Sequence, residues 1–270
     1  MKLSVVVPTH DRNHNLLNLI GSLKNQNFDR NQFELIVVTN LVDPFFESEL
    51  FKYGVDGILC EVHCSGEKNV NKARNLGIKK SRGEIIFLVD DDCELIDENY
   101  LEMVAESHAK FPEAVAIGGS YKVFEESNPL DKAYNCVGRQ WQALDHFGSY
   151  ESSRLVGGNV SYKRSVLEDN SLQFDEEIRF GGSESEFHQR LMREGYQTIY
   201  LPNLVVGHLT NLTQDDLIRK AFKQAHSFLK YDIADGFSEK VGRTYQNRRL
   251  TMAREPVSYT HQTLPTKRIV

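Results

Sequence analysis

The stretch FLVDDDCEL, residues 87–95, leads a buried strand directly into a cluster of negative charge. The apolar run from Ile85 to Val89 predicts a strand, and Asp90, Asp91 and Asp92 follow it without a spacer. Three adjacent carboxylates repel one another, and their burial beside a strand is unfavourable unless a partner compensates them. The stretch therefore predicts a strand whose carboxyl end meets a ligand or a cation.

The chain on the amino-terminal side of this strand alternates between strand and helix patterns. Leu3–Val7 and Phe33–Val38 are apolar, β-branched runs, and an amphipathic stretch rich in leucine separates them. Ile58–Val62 is a weaker strand pattern, and Lys68–Lys80 has the apolar spacing of a helix. Apolar strands separated by helices predict an α/β fold with a mostly parallel central sheet that is flanked by helices.

Polar residues follow three of these strands at the point where each ends. Pro8–Arg12 follows the first, Thr39–Asn40 follows the second, and the aspartates follow Val89. In open α/β sheets, ligands bind in the crevice outside the carboxyl ends of the strands. We therefore expect these residues to line one ligand-binding crevice.

The second half of the chain has a less regular pattern. It predicts an extended segment at 115–123, irregular structure to about residue 154, a helix that begins within 180–187 and ends near Gly195, strands at 198–201 and 204–206, and a helix at 215–231. That last helix is amphipathic and either packs on the domain or lies on a membrane surface.

These patterns predict one domain over residues 1–210, with a nucleotide-binding half at 1–95 and an acceptor-binding, catalytic half at 96–210. A helical extension is expected at 211–256. Residues 257–270 resemble the translation of a sequencing adapter, so we expect a non-native tail and a missing natural C-terminus.

The composition excludes some classes of partner. The 270 residues carry a net charge of −6, which provides no general attraction for nucleic acid. The first apolar run ends at Pro8 and is too short for a signal peptide or a spanning helix. Four cysteines fit reduced thiols. We expect a cytoplasmic chain, with peripheral association at the inner face of the membrane as an option.

A divalent cation would compensate the aspartate cluster. Mg²⁺ or Mn²⁺ prefers oxygen ligands, and phosphate oxygens often complete its shell. Alternate residues of an extended segment point the same way, so Asp92 is the main candidate ligand, and Asp90 faces the metal or a ribose hydroxyl. The alternatives are a solvated turn and an aspartate trio of the phosphoaspartyl receiver type.

Two carboxylates in the run Gly181-Gly182-Ser183-Glu184-Ser185-Glu186 suggest catalysis. Ser183 and Glu186 have the spacing of a capping box, which gives Glu186 a structural role. Glu184 has no such role and could accept a proton from a hydroxyl nucleophile. His208 follows a strand and could complete a metal site, although an ordinary structural histidine is the commoner case.

These motifs together resemble a family 2 glycosyltransferase, an inverting, nucleotide-sugar-dependent enzyme of the GT-A fold. The matching pieces come in the order of the family: Val5–Arg12, Lys72–Asn75, the three aspartates, Gly157–Asn159, and Gly181–Phe187 with Arg190-Leu191 behind it.

The resemblance implies a role for each matching residue. The residues that would contact the nucleotide are Pro8, Thr9, Asp11, Arg12 and Asp91. Asp90 and Asp92 would form the D-x-D signature that holds Mn²⁺ or Mg²⁺, and His208 would add a metal ligand. Glu184 would be the catalytic base. The acceptor or sugar would contact Gly158, Asn159 and Glu186.

Four further candidates stand beside these. The chain has Thr39-Asn40 where the family usually has an acidic residue that contacts the base, and Asn40 can still bind uracil. Lys72 or Arg74 could reach the phosphates or only solvate a helix. Trp141, the single tryptophan, could stack on an acceptor sugar or pack in the core.

The predicted activity is metal-dependent transfer of a sugar from a nucleotide diphosphate sugar, with UDP-sugar as the expected donor. The expected acceptor is a glycan or a lipid-linked molecule in cell-surface polysaccharide synthesis. The alternatives are a catalytically silent nucleotide-binding module, since Asn40 and Ser183 depart from the family, and a sugar nucleotidyltransferase. The sequence does not identify the sugar, the base or the oligomeric state.

Overall fold

A computed structural model of the chain describes residues 1–10, 13–41, 48, 50, 57–125, 127–143, 150–168, 172–179 and 181–230. Met1–Ile233 forms one compact unit. The predicted non-native tail at 257–270 lies outside the described residues. None of the helices in the described ranges is long and apolar enough to cross a bilayer.

Helices and strands alternate along the described residues. The strands are β1 Leu3–Pro8, β2 Phe33–Thr39, β3 Leu59–Cys64, β4 Ile85–Val89, β5 Cys93–Glu94, β6 Ala114–Lys122, β7 Asn159–Lys163 and β8 Gln197–His208. The helices are α1 Asn13–Lys24, α2 Val70–Lys80, α3 Tyr100–Lys110, α4 Pro129–Ala143, α5 Arg164–Leu167, α6 Ser183–Arg193 and α7 Gln214–Lys230.

The described strands form one sheet in the order β3-β2-β1-β4-β7-β6-β8-β5. Strands β3, β2, β1 and β4 are parallel neighbours, and so are β6 and β8. Strand β7 runs antiparallel to both β4 and β6, and β5 runs antiparallel to β8. The predicted α/β class with a mostly parallel sheet is confirmed.

The core lies on both faces of this sheet. Val5 and Val7 belong to the apolar cluster that includes the leucines of α1, whereas Val6 belongs to the other cluster, with Leu88 and with Phe187 of α6. Both faces are therefore covered, as the continuous apolar strands predicted. Complete burial of each such side chain stabilises the folded state by about 1.5–3 kcal/mol relative to leaving the side chain exposed to water.

Helix α4 corrects the prediction of irregular structure up to about residue 154. The Asn128 side chain accepts a hydrogen bond from the backbone of Asp131 at 2.9 Å, and Pro129 takes the first helical position, where its missing N–H costs nothing. The Asp131 side chain in turn accepts from the Leu212 backbone at 2.9 Å. A local cap and a distant contact therefore define the start of this helix, whose apolar residues also recur at helical spacing.

Strand β8 corrects a second prediction. The two apolar runs at 198–201 and 204–206 are one strand, which continues through Pro202. The pairing with β6 shifts register between Gly118 and Ser120, opposite this point. A bulge of this kind accommodates a proline, which cannot donate to the ladder.

Gly119 allows β6 to approach this irregular part of β8. A Cβ atom at residue 119 would overlap the backbone carbonyl of Leu204, whereas a Cβ at Gly21, in α1, would meet nothing within 4 Å. We expect Gly119→Ala to lower the free energy of unfolding by about 1–3 kcal/mol through overpacking. We expect Gly21→Ala to raise it by up to about 1 kcal/mol through helix propensity. Urea unfolding of both variants checks this, and equal midpoints would show that β6 and β8 can separate at no cost.

Candidate active site

A cleft of about 960 Å³ opens at the carboxyl ends of β1, β2 and β4. Thr9 follows β1, Asn40 follows β2, and Asp90–Asp92 follows β4, as the positions of the polar residues predicted. The first turn of α6 contributes Ser183 and Glu184. Helices α4 and α7 also contribute side chains to the cleft lining.

Arg74 of α2 connects two carboxylates in this cleft. Its guanidinium lies 2.7 Å from Glu184 Oε1 and 3.4 Å from Asp90 Oδ1, and its side chain is only 3% exposed. The guanidinium also lies over the ring of Phe174, 5.4 Å from the centroid. A planar group with several fixed donors can serve two anions at once, which a lysine ammonium does less well. The end of β4 and the start of α6 are therefore held by one cation.

The two carboxylates respond differently to this environment. Burial acts to raise the pKa of Glu184, but the charge of Arg74 and hydrogen bonds from Arg74 and Ser183 outweigh it, so the pKa lies below its usual value. Burial raises the pKa of Asp90, and the negative charges of Asp92 and Glu184 add to that rise despite the opposing charge of Arg74. Glu184 is therefore the more acidic group of the pair relative to its ordinary value.

Two glycines before β7 bring the backbone close to these carboxylates. A Cβ at Gly157 would overlap Glu184 and the Arg74 guanidinium, and a Cβ at Gly158 would overlap Asp90 and the hydroxyl of Tyr121. The backbone N–H of Gly158 donates to that hydroxyl at 3.1 Å. Glycine is therefore required at both positions because any side chain would occupy the space of the charged groups.

The three aspartates lie in a turn between β4 and β5, not in the extended segment on which the predicted alternation depended, and all three line the cleft. Asp91 is buried and accepts a hydrogen bond from Thr9 Oγ1 at 2.7 Å, which joins the ends of β1 and β4. Asp92 Oδ1 lies 3.5 Å from His208 Nε2, because Cys93 in β5 pairs with His208 at the end of β8. The His208 ring stacks on Tyr121 with centroids 4.3 Å apart.

The predicted nucleotide contacts are only partly in the cleft. Pro8, Thr9 and Asn40 line it, and Asn40 Oδ1 lies 2.5 Å from His10 Nδ1. Asp11 and Arg12 lie outside the described residues. Lys72 does not line the cleft: its ammonium pairs with Glu67 at 3.0 Å. Of the two alternatives for Lys72, the structure favours a helix-surface role, because the neighbouring carboxylate already binds it.

The predicted acceptor contacts also need correction. Asn159 is 1% exposed and donates to the backbone carbonyls of Ser120 at 3.0 Å and Leu204 at 3.1 Å, while Tyr100 donates to its side-chain oxygen. Its amide therefore joins β6, β7 and β8 and does not face the cleft. Gly158 has no side chain to contact an acceptor, and its backbone lies against Asp90 and the Tyr121 hydroxyl. The side chain of Trp141 lies outside the described residues.

Helix α6 begins differently from the predicted capping box. Gly182, in the left-handed conformation with φ 81°, is the N-cap, and no side chain among the described residues caps the helix. Ser183 Oγ donates to Glu184 Oε2 at 3.1 Å, and Glu186 pairs with Arg190 at 2.9 Å, away from the cleft lining. Gly182, and not Ser183, is therefore the N-cap of α6, and the Ser183 hydroxyl instead orients Glu184. Glu186 forms an ion pair with Arg190 on the helix surface and makes no contact with the cleft.

Several cleft residues were not predicted from the sequence. Arg74 was predicted to reach the phosphates or only to solvate a helix face, and no sequence signal identified Tyr121, Arg139 or Lys220 as cleft residues. These three come from three separate elements, β6, α4 and α7. Residues so distant along the chain carry no common motif, so only the packing of the elements brings them together.

Asp90 and Asp92 have the donor chemistry of a magnesium or manganese site. Within the described residues, no three His, Cys, Asp or Glu side chains cluster as a complete metal site. Mg²⁺, however, usually takes one or two protein carboxylates and completes its shell with phosphate oxygens and waters. Asp90 and Asp92, with His208 beside Asp92, fit that smaller donor set.

The comparisons with known proteins agree with this geometry. The model of the family described as "Glycosyl transferase family 2" matches residues 4–170, which is more than half of the chain. The chain belongs to glycosyl transferase family 2. Its α/β sheet and flanking helices are the GT-A fold of glycosyltransferases, as the resemblance of the motifs implied.

Individual relatives of this family 2 chain are distant. Poly(ribitol-phosphate) beta-N-acetylglucosaminyltransferase TarS from Staphylococcus aureus is 25% identical over 194 residues, which cover 66% of this chain and 30% of TarS. The chain thus spans less than a third of that relative.

Two solved structures share the fold. S. aureus TarS 1-349 in complex with UDP gives a TM-score of 0.59 at 20% identity, over 93% of this chain and 78% of that one. The mannosyltransferase PcManGT from Pyrobaculum calidifontis, in complex with GDP-Man and Mn²⁺, gives 0.62 at 16% identity, over 95% and 76%.

Removal of the Arg74 side chain should lower the free energy of unfolding. Arg74→Gln leaves Asp90 and Glu184 without their shared cation, and loss of one partner of a buried ion pair costs about 3–5 kcal/mol. The exposed pair of Arg164 with Glu168 provides a control, and Arg164→Gln should cost less than about 1 kcal/mol. Urea unfolding at pH 7 measures both.

The pH dependence of this cost has a defined sign. Because the folded-state pKa of Glu184 is lowered, its contribution is complete above the unfolded value of about 4.3. It is lost as the pH falls through the lower, folded-state pKa. The difference in unfolding free energy between wild type and Arg74→Gln should therefore shrink in acid. A difference that is independent of pH would contradict the electrostatic explanation.

Proposed function

We propose that this chain is an inverting glycosyltransferase that moves a sugar from a nucleotide diphosphate sugar to a hydroxyl acceptor in cell-surface glycan synthesis. The observation that carries the proposal is the placement of Glu184 and Asp90 on one buried guanidinium, in a cleft at the carboxyl ends of parallel strands. A proton acceptor and the candidate metal-binding carboxylates therefore face the same space. Family membership supports the reaction class.

The donor binds on the side formed by residues 1–95. Pro8, Thr9 and Asn40 surround the base and ribose, with Asp11 and Arg12 as further contacts, and UDP is the expected nucleotide. The amide of Asn40 can hydrogen-bond the edge of a uracil, and the structurally similar TarS was solved with UDP. The similar PcManGT was solved with GDP-Man, so the choice of base is a point that titration must test.

Asp90 and Asp92, with His208, would hold Mn²⁺ or Mg²⁺ beside the donor diphosphate. When bound, the cation supplies positive charge against the negative charge of the diphosphate leaving group. Burial raises the pKa of Asp90, and a nearby cation would favour its ionised form. The Mn²⁺ in the PcManGT complex supports the choice of metal.

Glu184 is the base in this proposal. Its lowered pKa keeps it ionised at neutral pH, and Arg74 and Ser183 hold its two oxygens in a fixed orientation. The acceptor hydroxyl oxygen bonds to the anomeric carbon as the bond from that carbon to the diphosphate breaks, and Glu184 takes the hydroxyl proton. A single displacement of this kind inverts the anomeric configuration.

Three variants test these roles. Asp92→Asn should abolish the Mn²⁺-dependent part of UDP binding, measured by calorimetric titration with and without the metal. Glu184→Gln should keep that binding and lower the rate of UDP release from UDP-N-acetylglucosamine by about 10²-fold or more. Glu186→Gln is the matched control, because this neighbouring carboxylate pairs with Arg190 outside the cleft and should change neither quantity.

The possible outcomes separate the alternatives. A Glu184→Gln protein with normal turnover removes the assigned base. Metal-dependent UDP binding without turnover in the wild type favours a catalytically silent module over an enzyme. Binding of another nucleotide in place of UDP would leave glycosyl transfer as the proposed reaction and would show that the donor is not a UDP-sugar.

We also infer that helix α7 rests on an anionic membrane surface at the cytoplasmic face. Ile218, Phe222 and Leu229 are 48%, 74% and 85% exposed, and their spacing places them along one side of the helix. Basic residues lie beside this stripe: Arg219, Lys223 and Lys230. An apolar stripe flanked by cations suits the interface of an anionic bilayer.

Phe222→Asp should weaken binding to vesicles that contain phosphatidylglycerol, because it puts a charge at the centre of the stripe. Leu41→Asp, at a residue 62% exposed after β2, is the control and should leave binding unchanged. Co-sedimentation with vesicles of phosphatidylglycerol and phosphatidylcholine measures the bound fraction. Equal binding of both variants would assign the stripe to another partner.

A further inference from the structure

Tyr134 of α4 and Lys220 of α7 form a pair that the reaction described above does not use. The Lys220 ammonium lies 5.2 Å from the centroid of the Tyr134 ring, and both residues line the cleft. Both are half-buried, whereas Arg219 and Lys223 on the same helix are exposed. Lys220 is thus the basic residue of α7 that faces the cleft, and the aromatic ring beneath it restricts where its charge lies.

The pair lies on the side of the cleft where the proposed base is. Burial raises the pKa of the Tyr134 hydroxyl, and the charge of Glu184 adds to the rise, so the two groups interact electrostatically. Gly181, three residues before Glu184, packs on α7: a Cβ there would lie 3.2 Å from Gln224 Cα, one turn beyond Lys220. Helix α7 therefore borders the glycine turn directly before α6, the helix whose first turn carries the base.

The charge on this wall is opposite to that of the cleft floor. The floor carries Asp90, Asp92 and Glu184, whereas Lys220 and Arg139 add positive charge on the α4 and α7 side. Asp216, four residues before Lys220, forms an ion pair with Arg219 at 3.3 Å, accepts a hydrogen bond from Thr213 at 2.6 Å, and offsets part of the Lys220 charge by its electrostatic interaction with that residue. The basic wall is therefore suited to an anion that enters from the acceptor side.

We propose that Tyr134 and Lys220 form an acceptor subsite that selects acceptors with a phosphate group close to the attacked hydroxyl. The Tyr134 ring supports the carbon skeleton of the acceptor, and the Lys220 ammonium binds the phosphate, with Arg139 as a second cation at the rim. The subsite rests on the proposed function, because it requires a donor in the cleft and Glu184 as base. It defines the acceptor by its charge, which the family does not specify.

The test uses glycerol 3-phosphate as the probe and glycerol as its neutral match. Each is titrated calorimetrically into the full chain saturated with UDP and Mn²⁺, so that the donor diphosphate already fills its own site. We expect the wild type to bind glycerol 3-phosphate at least about tenfold more tightly than glycerol, the factor typical of a hydrogen bond to a charged group.

Variants then assign this binding to the subsite. Lys220→Gln should lower the affinity for glycerol 3-phosphate by about tenfold and leave the affinity for UDP unchanged. Lys220→Arg should retain most of the affinity, because it keeps the charge. Lys223→Gln removes one positive charge three residues along the same helix, outside the cleft lining, and should behave as the wild type.

Other outcomes overturn the inference. Equal affinity for glycerol and glycerol 3-phosphate would show that the wall does not select phosphate. Equal loss of UDP and glycerol 3-phosphate affinity in Lys220→Gln would assign the lysine to the donor. Equal effects of Lys220→Gln and Lys223→Gln would show only a general surface charge. If the wild type binds neither UDP nor another nucleoside diphosphate, the proposed function fails first and the subsite with it.

Discussion

The ion pairs of the buried Arg74 guanidinium with Glu184 and Asp90 are the constraint on which the site depends. Two partly buried carboxylates this close repel each other, and burial makes the ionised form of each less favourable without a nearby cation. One planar cation on α2 compensates both and joins the end of β4 to the start of α6. The same contact lowers the pKa of Glu184 and leaves that of Asp90 raised, so neighbouring carboxylates acquire different properties.

The scaffold around this cation is built to permit close approach. Gly157 and Gly158 bring the backbone before β7 against the charged groups, since no side chain fits there. Asn159, the next residue, uses its buried amide to join β6, β7 and β8. One short segment thus provides both space for the carboxylates and the attachment that holds their surroundings rigid. The motif Gly157–Asn159, which resembles the family, therefore has a structural role in addition to its predicted contact with a ligand.

Sequence patterns predicted the strands and the crevice well because these depend on local, periodic signals. Apolar runs identified β1, β2 and β4, and Thr9, Asn40 and Asp90–Asp92, which follow them, lie in the cleft as expected. Predictions failed where a charged residue nearby in the chain already pairs with the side chain, or where a partner distant in the chain holds it. Lys72 and Glu186 are occupied by nearby ions, and Asn159 by backbone carbonyls. Helix α4 was missed although Leu130, Tyr134 and Val137 recur at helical spacing, and a contact with Leu212 fixes its start.

The sequence by itself determined the α/β class and the position of the aspartates at a strand end, because the apolar periodicity that indicates them is a property of neighbouring residues. Glu184 as the base stays a prediction. Only the tertiary structure decided that Asp90 and Glu184 form ion pairs with the same cation, because Arg74 and Glu184 are 110 residues apart in the chain. It also decided that Tyr134 and Lys220 meet, since packing of α4 against α7 places an aromatic ring under an ammonium that no spacing could relate.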